Sequence, residues 1–370
     1  MSRSKKQSGR DSLAPKGARD HALKRYVKSE LFWLLVVCLG AVAVFALTRS
    51  IPASDETAIT GDSILFVGDV MLARNVERLM NEHGSYYPYK GVRDMLAEHE
   101  QVIGNFEASI PELHRPTPSF TFRFSVSPDI LAALPRVGFT AMTLANNHSY
   151  DYGEGGYLHT RDTLIREGLA TGGNPMKISA DEVLYRRIAD TDIAIIPIHA
   201  TTVTPVVADI REVLALTAEK SDLQVVFIHW GTEYESVSDS AQQTFAHAVI
   251  DAGADAIIGH HPHVVQNIEE YRGTPIFYSL GNFIFDQYWN TEVREGLTVA
   301  ISFEEDRVHY TLIPVSSMET KSQPRPMNRI ERTQFLDVLA AKSEDVIADA
   351  IRNGSIVEPF ARRKSETLID

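Results

Sequence analysis

The stretch IIGHHPHVVQ, residues 257–266, carries three histidines within four positions, around one proline. It opens on AIIGH (256–260), a short apolar run bounded by turn residues. Such a run reads as a strand buried on both faces. The histidines stand where that strand ends. In open α/β sheets ligands bind at the carboxyl ends of strands. The stretch therefore predicts a layered α/β fold and the edge at which its chemistry lies.

The same layout recurs along the chain. SILFVGD (63–69), QVIGN (101–105), AMTLAN (141–146), IAIIPI (193–198), QVVFIHW (224–230) and PIFYSLGN (275–282) are further strand candidates. GLTVAISF (296–303) and VHYTLIPV (308–315), joined at Asp306-Arg307, read as a hairpin. Amphipathic patterns between them predict helices: SPDILAALPRVG from a cap-like Ser127, SDSAQQTFAHAVIDAG stopped at Gly253, and a last helix over 329–352. TGGNP (171–175) reads as a turn. This alternation implies an α/β domain.

Polar residues recur where these strands end. They are Asp69, then Asn105 and Glu107, then Asn146, Asn147 and His148, then His229, and finally the histidines of GHHPH. Each motif alone has a plain reading as a turn, a bonded loop or a satisfied core histidine. Their conjunction at five strand ends points to a ligand site. Carboxylate, amide oxygen and imidazole together suit Mn, Zn or Fe(II) better than an all-oxygen calcium cage. Such an ion activates water and polarises a phosphoryl or acyl oxygen. His148, with an unperturbed pKa of ~6.5, is the candidate general acid. Pro262 pushes the residue before it into an extended form, so His261 and His263 are expected to face one side together. His260 is then expected to face the other side, as a packing or supporting residue. Arg74 is a candidate fork for an anionic group, and Glu233 a candidate partner of a histidine ligand. No nucleophile elbow and no glycine-rich phosphate loop follows a strand.

The chain has 370 residues and a net charge of −13. Residues 1–30 hold nine Lys/Arg against three acids, which leaves −19 on the rest. An acidic body argues against nucleic acid as a partner, because phosphate neutralisation needs a basic face. The basic tail runs into LFWLLVVCLGAVAVFALT (31–48), 18 uncharged and mostly apolar residues, long enough to cross a bilayer as a helix. The charge asymmetry follows the positive-inside rule. The expected layout is a cytoplasmic basic tail (1–30), one transmembrane helix (31–48), a linker (49–61), an extracytoplasmic body (62–316) and a C-terminal helical extension (317–370). A cleaved signal peptide is the competing reading of the span. The only cysteine, Cys38, lies inside the span, so the body has no disulfide.

ILFVGDVMLAR, GNFEASI, TLANNHSYDYGEGG, VFIHWGTEY, DAGADAIIGHHPHVVQ and IFYSLGNFIFDQ, in this order, resemble the successive motifs of the CapA family of bacterial capsule-synthesis proteins. The resemblance runs over roughly residues 62–315. It implies a role with poly-γ-glutamate and a layout similar to calcineurin-like metallophosphoesterases: a four-layer α/β/β/α sandwich with a two-metal site. Carried over by position, Asp69 falls on the first aspartate and Glu107, or Asn105, on the bridging position. Asn147 and His148 fall on the Asn-His pair, His229 on the lone histidine, and His261 and His263 on the last pair. Met71 stands where that pattern has a histidine, and Asp151 stands three places after His148 rather than next to it. One metal position has thus lost a strong ligand, and a single ion, or a site kept for binding, fits what remains; one or two divalent ions are the expectation.

Three functions stay open on the sequence. The favoured one is a membrane-anchored extracytoplasmic protein for synthesis or export of a capsule-type anionic polymer, working beside membrane-embedded synthetase subunits. The second is a metal-dependent hydrolase of a phosphoester or cell-envelope amide. The third is a non-catalytic polymer-binding module.

Overall fold

The computed structural model describes residues 61–118 and 121–363. The expected basic tail, membrane span and most of the linker lie outside the described residues. Among those described, no helix is long and apolar enough to cross a membrane.

Strand β1 (Ser63–Val70) is buried along its whole length. Its side chains alternate, as a period-2 chain must. Leu65 and Val67 join one apolar cluster, while Ile64 and Phe66 join another. In chain order the next elements are α1 (Arg74–His83), α2 (Arg93–Ala97), β2 (Gln101–Phe106), α3 (Ala133–Arg136), β3 (Ala141–Thr143), α4 (Gly153–Arg166), β4 (Ala170–Gly172) and β5 (Leu184–Ile188). Then come β6 (Thr191–Ala200), α5 (Val207–Ala218), β7 (Leu223–Trp230), α6 (Ser240–Asp251), β8 (Ala256–His260), β9 (Ile268–Tyr271), β10 (Thr274–Phe277) and β11 (Asn282–Ile284). The chain closes with β12 (Glu295–Glu304), β13 (Arg307–Ser316), β14 (Arg325–Pro326), α7 (Arg329–Lys342), α8 (Asp345–Asn353) and β15 (Ser355–Pro359).

Two mixed sheets result. One runs β14-β13-β12-β1-β2-β3-β4, with β11 beside β1 and β15 beside β13. The other runs β5-β6-β7-β8-β10-β9. Ile64, Phe66 and Ile103 of the first pack against Ile195, Val225, Phe227 and Ile258 of the second, so the sheets face each other across an apolar gap. The outer face of the first sheet is covered by Val76, Met80, Leu96 and Leu164 of its helices. The outer face of the second is covered by Val213, Leu214, Ala246 and Val249 of α5 and α6. The layers are therefore helix, sheet, sheet and helix.

Several expectations change. PIFYSLGN is not one strand: β10 pairs with β8 in one sheet and β11 with β1 in the other. Residues 278–281 cross between the sheets, which delivers Asn282 to the strand ends. The last helix breaks at Ser343, whose hydroxyl donates to the Leu339 carbonyl and accepts the Ile268 N–H. Beyond residue 317 the chain holds two helices and also β14 and β15, both paired with β13. TGGNP begins inside β4, which pairs in parallel with β3.

Two glycines permit the crossing between sheets. A Cβ on Gly68 would lie 1.9 Å from the Gly281 carbonyl oxygen, and one on Gly259 would lie 2.1 Å from that of Tyr278. Only glycine admits so close a backbone approach. The next residues are Asp69 and His260.

Candidate metal centre

Parallel register assembles the site. Asp69 lies beside Asn105, and His229 lies beside His260 in the neighbouring strand. In-register neighbours project to the same face. Val225 and Phe227 point into the gap between the sheets, and His229 follows with their parity. Ile258 and His260 do the same in β8. Asp69 shares the parity of Leu65 and Val67, which face the helices. The β1–β2 register shifts between Phe66 and Asp69. Such an irregularity re-aims a side chain, and it turns Asp69 into the gap beside the histidines.

Two groups of ligand atoms result: Asp69, His229 and His260 in one, and Glu107, His261 and His263 in the other. Within each group the atoms lie within 4.8 Å of one another, and all six residues are buried. His263 Nδ1 is 3.3 Å from Asp69 Oδ2 and joins the two groups.

This corrects the expectation for His260. It faces the site beside His229, with ring centroids 5.2 Å apart. The extended clamp at His261 and His263 is also replaced. Both residues have positive φ, +101° and +60°. The chain therefore coils rather than running straight, and all three histidines line one pocket. Non-glycine residues held in this region store strain of about 1–3 kcal/mol each, which the surroundings must over-determine.

The hydrogen bonds set the tautomers. His229 Nε2 donates to Asn147 Oδ1 (2.7 Å), which leaves Nδ1 as a lone-pair donor atom facing Asp69. Asn105 Nδ2 lies 2.8 Å from Asp69 Oδ1 and 3.2 Å from that same Nδ1. Asn146 Nδ2 donates to Asn105 Oδ1, which holds the Asn105 amide in this orientation. His263 Nδ1 donates to Asn282 Oδ1 (3.0 Å), so Nε2 faces Glu107 Oε1 at 3.8 Å with its lone pair free. His148 Nδ1 donates to Asp151 Oδ2 (2.9 Å), and its Nε2 points at Glu107 Oε1 from 3.8 Å. Phe124 stacks on the His148 ring at 3.9 Å.

Both Glu107 oxygens, both His260 nitrogens and His261 Nδ1 are buried without a hydrogen-bond partner. Buried polar atoms are almost always paired. A divalent cation would satisfy a bare carboxylate and several bare imidazole nitrogens together, so the donor set fits a metal.

Residues 63–287 match the family described as "Bacterial capsule synthesis protein PGA_cap". The chain belongs to that family. It is 28% identical to "Capsule biosynthesis protein CapA" of Bacillus anthracis, over 92% of this chain and 89% of that protein. It is 29% identical to "PGA biosynthesis protein CapA" of Bacillus subtilis (strain 168), over 76% and 78% respectively. Among solved structures, a hypothetical protein from Thermus thermophilus overlaps 72% of this chain and 98% of its own, at 16% identity and a TM-score of 0.43.

In this PGA_cap chain the electrostatics suit Asp69 and the histidines to a cation, whereas Glu107 would give up a proton to bind one. Burial would raise the Asp69 carboxyl, but the hydrogen bond and charge of His263, with the charge of His260 and the Asn105 amide, hold it at about 2. Burial, with the Asp69 charge added, pushes Glu107 well above the usual carboxylate range. Burial lowers His260 to about 4 and, with the charge of His263, His261 to about 3. Burial also takes His229 well below its ordinary value. Neutral imidazoles present the lone pairs that a metal requires.

The remaining sequence candidates divide. Met71 is core: fully buried, with its sulfur accepting the Ala73 N–H. Arg74 pairs with Asp286 and lies over the Phe124 ring at 4.5 Å, so its guanidinium braces the loop that stacks on His148. Glu233 is exposed in the turn after β7, and among the described residues no histidine hydrogen-bonds it. Its charge still bears on Glu107, so it stands at the exposed rim of the site without the expected histidine contact. Asp151 is the orienting carboxylate of His148. Its i+3 spacing was the visible signal. Asn282, the partner of His263, carried no signal, because only the crossing between sheets brings it there.

Proposed function

We propose that this PGA_cap chain is a metal-dependent component of capsule-type polymer synthesis or export, held by residues 31–48 at the outer face of a membrane, with an anionic polymer as its substrate. The names of its relatives support poly-γ-glutamate. The observation that carries the metal is the set of six buried carboxylate and imidazole side chains in two groups, three of which, Glu107, His260 and His261, hold ligand atoms without hydrogen-bond partners.

Asp69, His229 and His260 would hold one divalent ion, and Glu107, His261 and His263 a second; Mn, Zn or Fe(II) suits this donor set. Ions there supply Lewis-acid activation of water and of an acyl or phosphoryl oxygen. The chain's own residues do the rest. Asp151 fixes the His148 tautomer with Nδ1 protonated, so protonated His148 presents an Nε2–H to the pocket and can hand that proton to a leaving group. Asn147 and Asn282 hold His229 and His263 in the ligating tautomer. The apolar gap beneath excludes water from the buried side.

The test is metal analysis of the full chain purified in detergent, with polymer hydrolysis as a second readout. One or two ions per chain, a lower content in His261→Ala, and metal retained but turnover lost in His148→Ala are expected. A metal-free protein that stays metal-free after incubation with Mn, Zn and Fe(II) would end the metal reading. In the source cell, deletion of the gene should reduce surface polymer; unchanged polymer would end the capsule role.

A further inference from the structure

The loops that carry the ligands also build a groove beside them. It has a volume of about 480 Å³, and its walls include Arg74, Phe122, Tyr234, Tyr288, Trp289 and Lys321. Arg74 follows the end of β1, Tyr234 follows β7 and Trp289 follows β11, so the walls and the metal ligands come from the same strand ends.

Two contacts make the groove continuous with the centre. The Tyr234 ring lies 6.0 Å from the His263 ring. A hydrogen-bond chain follows the same path: Gln287 Nε2 donates to Tyr234 Oη, Asn282 Nδ2 donates to Gln287 Oε1, and His263 donates to Asn282 Oδ1. The wall of the groove thus helps to set the tautomer of a ligand histidine.

The lining is unusual for solvent. Phe122 is 77% exposed, Trp289 61% and Tyr234 40%. Trp289 meets Tyr234 edge to face at 5.3 Å. Lys321 is exposed, with its ammonium 5.0 Å over the Tyr288 ring. Arg74 is already matched by Asp286. The groove therefore offers aromatic faces and one cation held over an aromatic ring, in an otherwise acidic chain.

We propose that this groove is the polymer subsite. It holds an anionic polyamide chain with flat amides stacked on Trp289 and Phe122 and a side carboxylate on Lys321, and it feeds the chain to His148 and the metal ligands. This rests on the polymer reading above. A neutral glycan would use the aromatic faces but not the lysine. A free carboxylate without amides would use the lysine but not the rings.

The test is calorimetric titration of the full-length chain in detergent with a γ-linked glutamate decamer, alongside a neutral cellohexaose control. Saturable decamer binding is expected, weakening as salt rises. Lys321→Glu and Trp289→Ala should each weaken it by about tenfold or more, with metal content and circular dichroism unchanged. Unchanged decamer affinity in both variants overturns the groove, as does tighter binding of cellohexaose than of the decamer. A metal-loaded wild type that binds no decamer also overturns it and leaves the metal reading standing. Decamer binding that depends on Lys321 in a protein that takes up no metal supports the groove and removes only the metal.

Discussion

His260→Leu separates a metal ligand from a packing residue. Both ring nitrogens of His260 are buried without partners. An unpaired buried polar group costs roughly 1–3 kcal/mol. The ring also meets Phe227 edge to face at 4.3 Å, a contact worth about 0.5–1.5 kcal/mol. Leucine is close in volume and removes the nitrogens and the aromatic contact together. Set against that lost contact, the metal-free variant should be more stable than wild type by up to about 2 kcal/mol. Metal reverses the order. An ion at a thousandfold its Kd stabilises the wild type by about 4.1 kcal/mol, and the variant, with one ligand of its trio gone, keeps little of that. The assay is urea denaturation followed by circular dichroism, in EDTA and in excess Mn. A variant that is less stable than wild type in EDTA, and equally stabilised by Mn, would show that His260 only packs.

Gly68→Ala should cost about 1–3 kcal/mol or more and weaken metal binding, because a Cβ 1.9 Å from the Gly281 oxygen forces β1 from β11 and shifts Asp69; wild-type stability and metal affinity would refute this. Burial holds His99 at about 4, so between pH 4 and 6.5 the unfolded chain binds a proton that the folded chain does not. Stability should rise with pH across that window and be lost on acidification, by up to about 3 kcal/mol from this residue. His99→Gln should flatten that part of the curve, measured as urea midpoints at pH 4.5 and 7. Burial lowers the Lys342 amine to about 8, so below that pH the folded chain holds a charge that costs it stability. Lys342→Met should be more stable than wild type at pH 7 by about 1–3 kcal/mol, with the gap narrowing towards pH 10 as the folded amine loses its proton; a constant gap would refute the assignment.

The strands were legible because burial on both faces writes itself into composition. β1, β2, β6, β7, β8, β12 and β13 all lie on apolar runs read from the chain alone. The ligand types were legible for a related reason: Asp69, Glu107, His229, His261 and His263 stand just where those runs end. The directions of side chains were less legible. The inward turn of Asp69 depends on a register shift against β2, and that of His260 on pairing with His229. Both are contacts between distant segments. Backbone rules at Pro262 predicted an extended His261, and tertiary packing holds it at a φ of +101° instead.

The sequence by itself determined the α/β alternation and which carboxylate and imidazole residues stand at the strand ends, because strand burial and donor chemistry are local properties of residue type. Only the tertiary structure decided which residues share a pocket: His260 moved in, Glu233 stayed at the exposed rim, and Asn282 arrived by a crossing between sheets. Those outcomes follow from strand register and from two close backbone approaches at Gly68 and Gly259. Both are set by pairing partners far away in the chain.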